Sequence, residues 1–355
     1  MHSQILRVLE LEADDSLAIG HQHGETYRRE IGELASIRME RMRISSHFKK
    51  TKDILELAHK HIRPLYDFDK ELFLELKGIS DASNVSLEHL IVLNHYTDLR
   101  DIMPNAHHDL SKDSDATEAN SGCSIIYSPT HNGPVLGQTW DIHGSAQPYI
   151  IMLKVKDCLA FSIVGCLGMM GLNKHGVGVA INNLSSFDAR IGVLWPALVR
   201  KILMCKNAQS AKEEIMKCPS SSGRHYAVVD ENNFFGIELS GTKKKIICDD
   251  ASKKYFHTNH CLDAEMRKTH MIRKGSNTLW RLEHLQGVIG HEDLSSPKKV
   301  FLALRSVSIA PDKNYPHKTT TCGTVVMDIN QRSTIACSGI AHEELLEDAN
   351  YSISL

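Results

Sequence analysis

The pair Gly122-Cys123 is where this chain could do covalent chemistry. The run Asn120-Ser121-Gly122-Cys123-Ser124-Ile125-Ile126-Tyr127 passes from a polar stretch into an apolar strand at the cysteine. A cysteine attacks as its thiolate, and a free thiol has a pKa of about 8.5, so something must take its proton. An N-terminal α-amine, with a pKa of about 7.7–8, suits that task near neutral pH. An internal Cys123 has no such amine. Cleavage between Gly122 and Cys123 would create one and make Cys123 nucleophile and base together. Gly122 leaves the carbonyl that the thiol must reach without side-chain cover. The plainer alternative is packing: the chain has nine cysteines, and free cysteines commonly just fill space.

Three further polar groups could complete such a site. Gly137-Gln138-Thr139-Trp140-Asp141 closes a strand that runs back, through the turn Asn132-Gly133, onto the strand starting at Cys123. That hairpin brings Asp141 beside Cys123, where a carboxylate could hold an ammonium or orient an amine; an exposed turn acid fits the spacing equally well. His257-Thr258-Asn259-His260-Cys261 is a polar cluster at a strand end that could present an amide N–H to an oxyanion. A metal at His257, His260 and Cys261 is the weaker alternative, because a short strand does not aim all three at one point. Asn182-Asn183 ends a strand after Gly176-Val177-Gly178-Val179. Buried asparagines need hydrogen-bond partners, whereas a surface turn needs none. Which of the two faces inward stays open, since a slip of one residue changes the face.

The elements around these groups fit one large α+β unit. The chain has 355 residues and is 42% hydrophobic, enough for a sizeable core. A net charge of −2 leaves no electrostatic footprint for nucleic acid or an anionic membrane. No run approaches the roughly 18 apolar residues of a membrane span, and residues 1–19 lack the apolar centre of a secretory signal. Scattered cysteines without a CxxC pair point to free thiols in a reducing, cytoplasmic setting. No HExxH occurs among the 21 histidines, so neither a metal nor a cofactor is expected, and the expected partner is a small molecule.

The first hundred residues read as mostly helical. A short strand lies within 1–19, and a glycine turn at Gly20 and Gly24 feeds a helix running from Ile31 to about His47. Helices follow over 54–62 (stopped by Pro64), 69–82 and 86–99, the last capped by Ser86. Residues 107–121 have no hydrophobic period and read as a solvated loop. Short apolar runs separated by hairpin turns then predict antiparallel strands up to residue 181. A helix pair is predicted within 195–216 and strands within 225–258. A helical region over 265–306 has Leu279, Leu282 and Leu285 on one stripe, and a last hairpin turns across Asn330-Gln331-Arg332. Such blocks predict layers around antiparallel sheets.

The ordered set of motifs resembles the acyl-coenzyme A:6-aminopenicillanic-acid acyltransferase family of the N-terminal-nucleophile hydrolases. The set comprises Gly122-Cys123-Ser124, Asn132-Gly133, Gly137-Gln138-Thr139-Trp140-Asp141, Gly171-Leu172-Asn173-Lys174-His175-Gly176-Val177-Gly178-Val179 and His257-Thr258-Asn259-His260-Cys261-Leu262. Gly20 with Gly24, Leu76-Lys77-Gly78-Ile79, Leu93-Asn94, and Ser276 with Arg281-Leu282 extend the resemblance over nearly the whole chain. No single motif is specific; their order and spacing are.

The resemblance implies a four-layer αββα N-terminal-nucleophile hydrolase fold with two stacked antiparallel sheets. Residues 1–122 would be a mostly helical α subunit and 123–355 a catalytic β subunit, the two fragments staying associated as one folded unit. Cys123 matches the nucleophile freed by autocleavage after Gly122. Asp141 matches an acid near its amine, and Asn259 an oxyanion-hole asparagine. Asn182 or Asn183 matches the asparagine that ends the central strand and serves an oxyanion or orients substrate. Two departures stand out. Thr321-Cys322-Gly323 replaces a Ser-Arg-Gly of some members, and Gln138 stands where choloylglycine-type relatives carry an arginine. The implied activity is that of a self-cleaving cysteine amidohydrolase or acyltransferase, acting on a small linear N-acyl amide or acyl thioester through an acyl-enzyme. The alternatives are an uncleaved, non-catalytic relative that binds a small molecule, and a thiol hydrolase pairing Cys123 with His257 or His260.

Overall fold

The structure, a computed structural model, describes residues 4–102, 122–273, 275–348 and 350–355. The loop expected at 107–121 lies outside the described residues.

Six helices precede the site: α1 (Ser16–Thr26), α2 (Arg28–Ser45), α3 (Thr51–His59), α4 (Ile62–Phe68), α5 (Lys70–Ser83) and α6 (Leu87–Asp101). Asp15, Asp69 and Ser86 cap α1, α5 and α6, their side chains accepting backbone N–H groups of the first turn. Two expectations are corrected here. Gly20 and Gly24 lie inside α1 rather than in a turn. They are small because α1 presses on α5: a Cβ at Gly20 would sit 2.0 Å from Glu75 O, and one at Gly78 would sit 2.2 Å from Leu17 O. Pro64 lies in the first turn of α4 rather than ending a helix, and in that turn its missing N–H has no helical partner to lose.

Two sheets follow. The seven-stranded sheet has the order β1 (Gln4–Ile5), β14 (Ser333–Ser338), β13 (Thr319–Asp328), β4 (Gly133–His143), β3 (Ile125–Thr130) and β12 (Tyr255–His257), and β15 (Ser352–Ser354) also pairs with β14. The eight-stranded sheet has the order β11 (Lys244–Cys248), β10 (Phe234–Leu239), β9 (Gly223–Val229), β8 (Gly178–Leu184), β7 (Met170–Asn173), β6 (Cys158–Ile163), β5 (Ile150–Val155) and β2 (Val8–Leu11). The β2–β5 pair is parallel and the other pairs are antiparallel.

The sheets pack face to face. Ile125, Tyr127, Leu136 and Met327 of one meet Leu172, Ala180, Ala227, Val229 and Phe234 of the other, with Tyr127 stacked on Phe234 at 4.1 Å. Outside the first sheet, Ile126, Val135 and Val326 pack against Leu282 and Leu285 of α10 (Thr278–Gly287) and Val300 and Phe301 of α11 (Pro297–Ala303). Outside the second, Leu153, Val179 and Val228 pack against Ile31, Leu34 and Leu93 of the N-terminal helices. Ala197 of α7 (Trp195–Ile202) and Ile215 of α8 (Ala208–Lys217) share that core. This is the αββα arrangement the sequence led us to expect. Among the described residues, no helix is long and apolar enough to cross a membrane.

The helical region expected over 265–306 is broken. A four-residue helix, α9 (Ala264–Arg267), is followed by irregular chain before α10 begins. The predicted stripe is also shifted. Leu279 is 51% exposed, and the buried face of α10 is Thr278, Arg281, Leu282 and Leu285.

Candidate active site

The β3–β4 hairpin sets the frame. Its register, with Ile125 opposite Gln138, carries on to an isolated bridge between Gly122 and Asp141. Gly122 N–H donates to Asp141 O at 2.7 Å, and Asp141 N–H donates to Gly122 O at 2.8 Å. The hairpin thus sets Asp141 beside Cys123, as the turn predicts.

The Gly122-Cys123 peptide is held on both sides. Its oxygen takes the Asp141 N–H, and its nitrogen, Cys123 N, donates to Asn259 Oδ1 at 2.7 Å. The next carbonyl, Cys123 O, accepts from Asn182 Nδ2 at 2.9 Å and from Arg281 Nη1 at 2.8 Å. Arg281 also reaches Ser124 Oγ, Asn259 Oδ1 and Asn277 Oδ1, each at 2.9 Å. Two donors on Asn259 Oδ1 fix that amide, so its Nδ2 donates to Asn183 O at 3.0 Å. Asn259 therefore presents an acceptor to Cys123, and its donor is engaged elsewhere. Only glycine fits at 122: a Cβ would lie 2.2 Å from Asn259 Oδ1 and 2.7 Å from Arg281 Nη2.

Burial dominates the electrostatics. Asp141 Oδ1 accepts from Thr321 Oγ1 at 2.7 Å. Thr139 Oγ1 lies 3.5 Å from Asp141 Oδ2 and accepts Ser124 N–H at 3.1 Å. Burial pushes the Asp141 carboxyl up to about 6, with the Arg281 charge pulling the other way. Burial, then the Asp141 charge, push the Cys123 thiol up to about 12, against the neighbouring Gln138 amide and the charges of Arg281 and Arg224. Gln138 is anchored through its Oε1, which accepts Ile181 N–H at 2.7 Å.

A cavity of about 60 Å³ opens on this site, lined by Cys123, Asp141, Trp140 and Asn183. Leu93, Ile163, Met169 and Ile181 give it apolar walls, and Arg38, Arg100 and Arg224 also line it. Strand alternation in β8 resolves the asparagine pair. Asn182 is fully buried and turns to the Cys123 carbonyl, while Asn183 lines the cavity.

The cluster at 257–261 splays apart. His257 Nδ1 faces Asn182 Oδ1 at 2.9 Å and its Nε2 faces Glu238 Oε1 at 3.2 Å. His260 Nδ1 lies 3.0 Å from Thr278 Oγ1, and Cys261 packs with Leu184 and Met266. None of these contacts involves the Cys123 thiol. Among the described residues, no group of three or more His, Cys, Asp or Glu side chains could hold a metal ion. All nine cysteines are free thiols.

Arg281 and Gln138 belong to the site without having been singled out for it. The signal for Arg281 was an arginine at the i+3 position of the apolar face of α10. Gln138 sits mid-strand in an otherwise apolar run, which offers a weaker signal.

The model of the acyl-coenzyme A:6-aminopenicillanic acid acyl-transferase family matches residues 128–341. The chain belongs to this family. The acyltransferase-family match starts beyond Cys123. A curated relative, the 40 kDa form of acyl-coenzyme A:6-aminopenicillanic-acid-acyltransferase from Emericella nidulans, is 25% identical over 255 residues. That alignment covers 69% of this acyltransferase-family chain and 66% of the relative. Among solved structures, a conjugated bile acid hydrolase from Clostridium perfringens matches with a TM-score of 0.40 at 11% identity, covering 62% of this chain and 93% of that one. A Caenorhabditis elegans N-acylethanolamine-hydrolyzing acid amidase ortholog matches with a TM-score of 0.39 at 12% identity, covering 66% and 100%.

Proposed function

We propose that this acyltransferase-family member cuts itself between Gly122 and Cys123 and then works as a cysteine amidohydrolase or acyltransferase on small linear N-acyl amides or acyl thioesters. The observation that carries the proposal is the grip on one peptide bond, with the Gly122 oxygen on the Asp141 N–H and the Cys123 nitrogen on Asn259 Oδ1.

In the precursor, the Cys123 thiol adds to the Gly122 carbonyl carbon. Asp141, raised to about 6, is a stronger base than an ordinary carboxylate, while its charge favours the protonated form of the neighbouring thiol until the proton leaves in the attack. The Asp141 N–H receives the developing oxyanion. The Gly122 C–N bond breaks as the C–Sγ bond forms, and the thiol proton ends on the Cys123 nitrogen. Water then cleaves the thioester, giving a Gly122 carboxylate and a Cys123 with a free amine and thiol.

In the mature enzyme, Asn259 Oδ1 orients the new amine, which takes the thiol proton. A substrate carbonyl occupies the place the Gly122 carbonyl has left, with its oxygen on the Asp141 N–H. Arg281 and Asn182 hold the Cys123 backbone still. The substrate's amine, or its thiol in the case of a thioester, leaves with the proton, and water or a second amine takes the acyl group from Cys123. The fragments stay together because β1 pairs with β14 and β2 with β5 across the cut.

The test is a panel of linear N-acyl amides and acyl thioesters given to cleaved protein and quenched for mass spectrometry. Turnover with an acyl adduct on the fragment that starts at Cys123 supports the proposal, as does loss of turnover when that α-amine is blocked. Cleaved protein that leaves every member of the panel intact overturns the enzymatic half.

A further inference from the structure

Asn182 is locked by a buried histidine pair. Asn182, His225 and Glu238 stand directly opposite one another on β8, β9 and β10, and His257 reaches them from β12 of the other sheet. His225 Nδ1 and His257 Nδ1 both lie 2.9 Å from Asn182 Oδ1. Their rings stack with centroids 3.6 Å apart and planes 9° from parallel. Asn182, His225, His257 and Glu238 are all fully buried.

The proton positions follow from valence. Cys123 O is a carbonyl and only accepts, so the Asn182 atom facing it is the NH₂. Asn182 Oδ1 then only accepts, and each imidazole must carry its proton on Nδ1. The far side of each ring sets this. Tyr255 OH, 2.9 Å from His225 Nε2, donates to a neutral ring, and burial with the nearby His257 holds the His225 pKa well below its ordinary value. His257 Nε2 shares one proton with Glu238, whose carboxylate also accepts the backbone N–H groups of Leu262 and Asp263. If either ring turned a lone pair to Asn182, the amide would flip and set its oxygen against the Cys123 carbonyl.

We propose that His225 and His257 are positioning residues for the Cys123 reaction: by presenting two Nδ1–H groups they hold Asn182 in the orientation that pins the nucleophile's backbone, with Tyr255 and Glu238 setting the tautomers. This inference rests on the assignment of Cys123 as nucleophile. It adds a second layer, drawn from both sheets, that touches neither substrate nor thiol.

The lock is read first without activity, by nitrogen NMR of the histidines in full-length Cys123→Ala, which keeps the backbone carbonyl. Both rings protonated on Nδ1 is the expected result; either ring protonated on Nε2 alone overturns the lock. Kinetics then give its effect. His257→Leu should lower both the self-cleavage rate and the kcat of cleaved enzyme by roughly 10²-fold, with KM within about twofold. His257→Asn, which restores an N–H near the Nδ1 position, should recover at least about tenfold of that loss. In an Asn182→Leu background, His257→Leu should cost little more. Equal rates in His257→Leu and wild type, or full additivity with Asn182→Leu, overturn the positioning role. A wild-type chain with neither cleavage nor turnover overturns the assignment of Cys123 and the positioning role with it, while the NMR result still decides the lock.

Discussion

The backbone N–H of Asp141 and the carbonyl oxygen of Gly122 lie 2.8 Å apart, closed by a return bond of 2.7 Å. One two-residue bridge therefore aligns the bond proposed to break and aims a donor at its oxygen. The same residue's buried carboxylate pushes the pKa of the neighbouring thiol up. These roles come from one position on β4, which makes the site sensitive to small changes there.

Gly122→Ala tests the closeness of the grip. The added methyl would meet Asn259 Oδ1 and Arg281 Nη2 inside contact distance, and relieving it must displace one of them. The expected cost is about 1–3 kcal/mol of stability, with self-cleavage slowed by tenfold or more. Thermal melts and a cleavage time course on denaturing gels measure both. A variant that melts and cuts like wild type contradicts the packing.

Arg281→Lys tests the fork. Arg281 serves four acceptors from a fully buried position: Cys123 O, Ser124 Oγ, Asn259 Oδ1 and Asn277 Oδ1. An ammonium is a point charge and cannot span them. Cleavage should slow by roughly 10²-fold although the charge is kept. A lysine variant that cuts at the wild-type rate would show that Arg281 acts through charge alone.

Asp141 gives a pH signature. Its folded pKa of about 6 lies above the ordinary carboxylate value of 3.8, so the folded chain binds this proton more tightly than the unfolded one. The cost of the buried carboxylate is full above pH 6 and fades as the pH falls toward 3.8. Relative to Asp141→Asn, the wild type should gain about 2 kcal/mol of stability between pH 7.5 and pH 4.5. Denaturant unfolding of both proteins at the two pH values checks this, and a gap that stays constant or moves the other way contradicts the burial argument.

Much of this was legible in the residues because it is local. Asn132-Gly133 marks a tight hairpin that returns Asp141 to the neighbourhood of Cys123, although the two loop residues are His131 and Asn132 and Gly133 already pairs with Thr130. The strands, the cap at Ser86 and the layered class follow from local signals. What stayed hidden depends on contacts between distant segments. Gly20 and Gly24 look like turn residues until α5 is seen pressed against α1. Alternation says that Asn182 and Asn183 face opposite ways but not which faces Cys123, and that depends on how the two sheets stack. Arg281 is on the buried face of α10 because Cys123, Ser124 and Asn259 present oxygens there. A stripe drawn through Leu279 passed over it. The bonds of His257 to Asn182 and Glu238 join two sheets, and no spacing along the chain carries that information.

The central claim is the cut. Purified wild-type protein should be followed by denaturing electrophoresis and intact mass beside Cys123→Ala. The account predicts two wild-type fragments whose masses meet between Gly122 and Cys123, and a single unbroken Cys123→Ala chain. A wild-type chain that stays full length after long incubation, or that breaks at another bond, would contradict it.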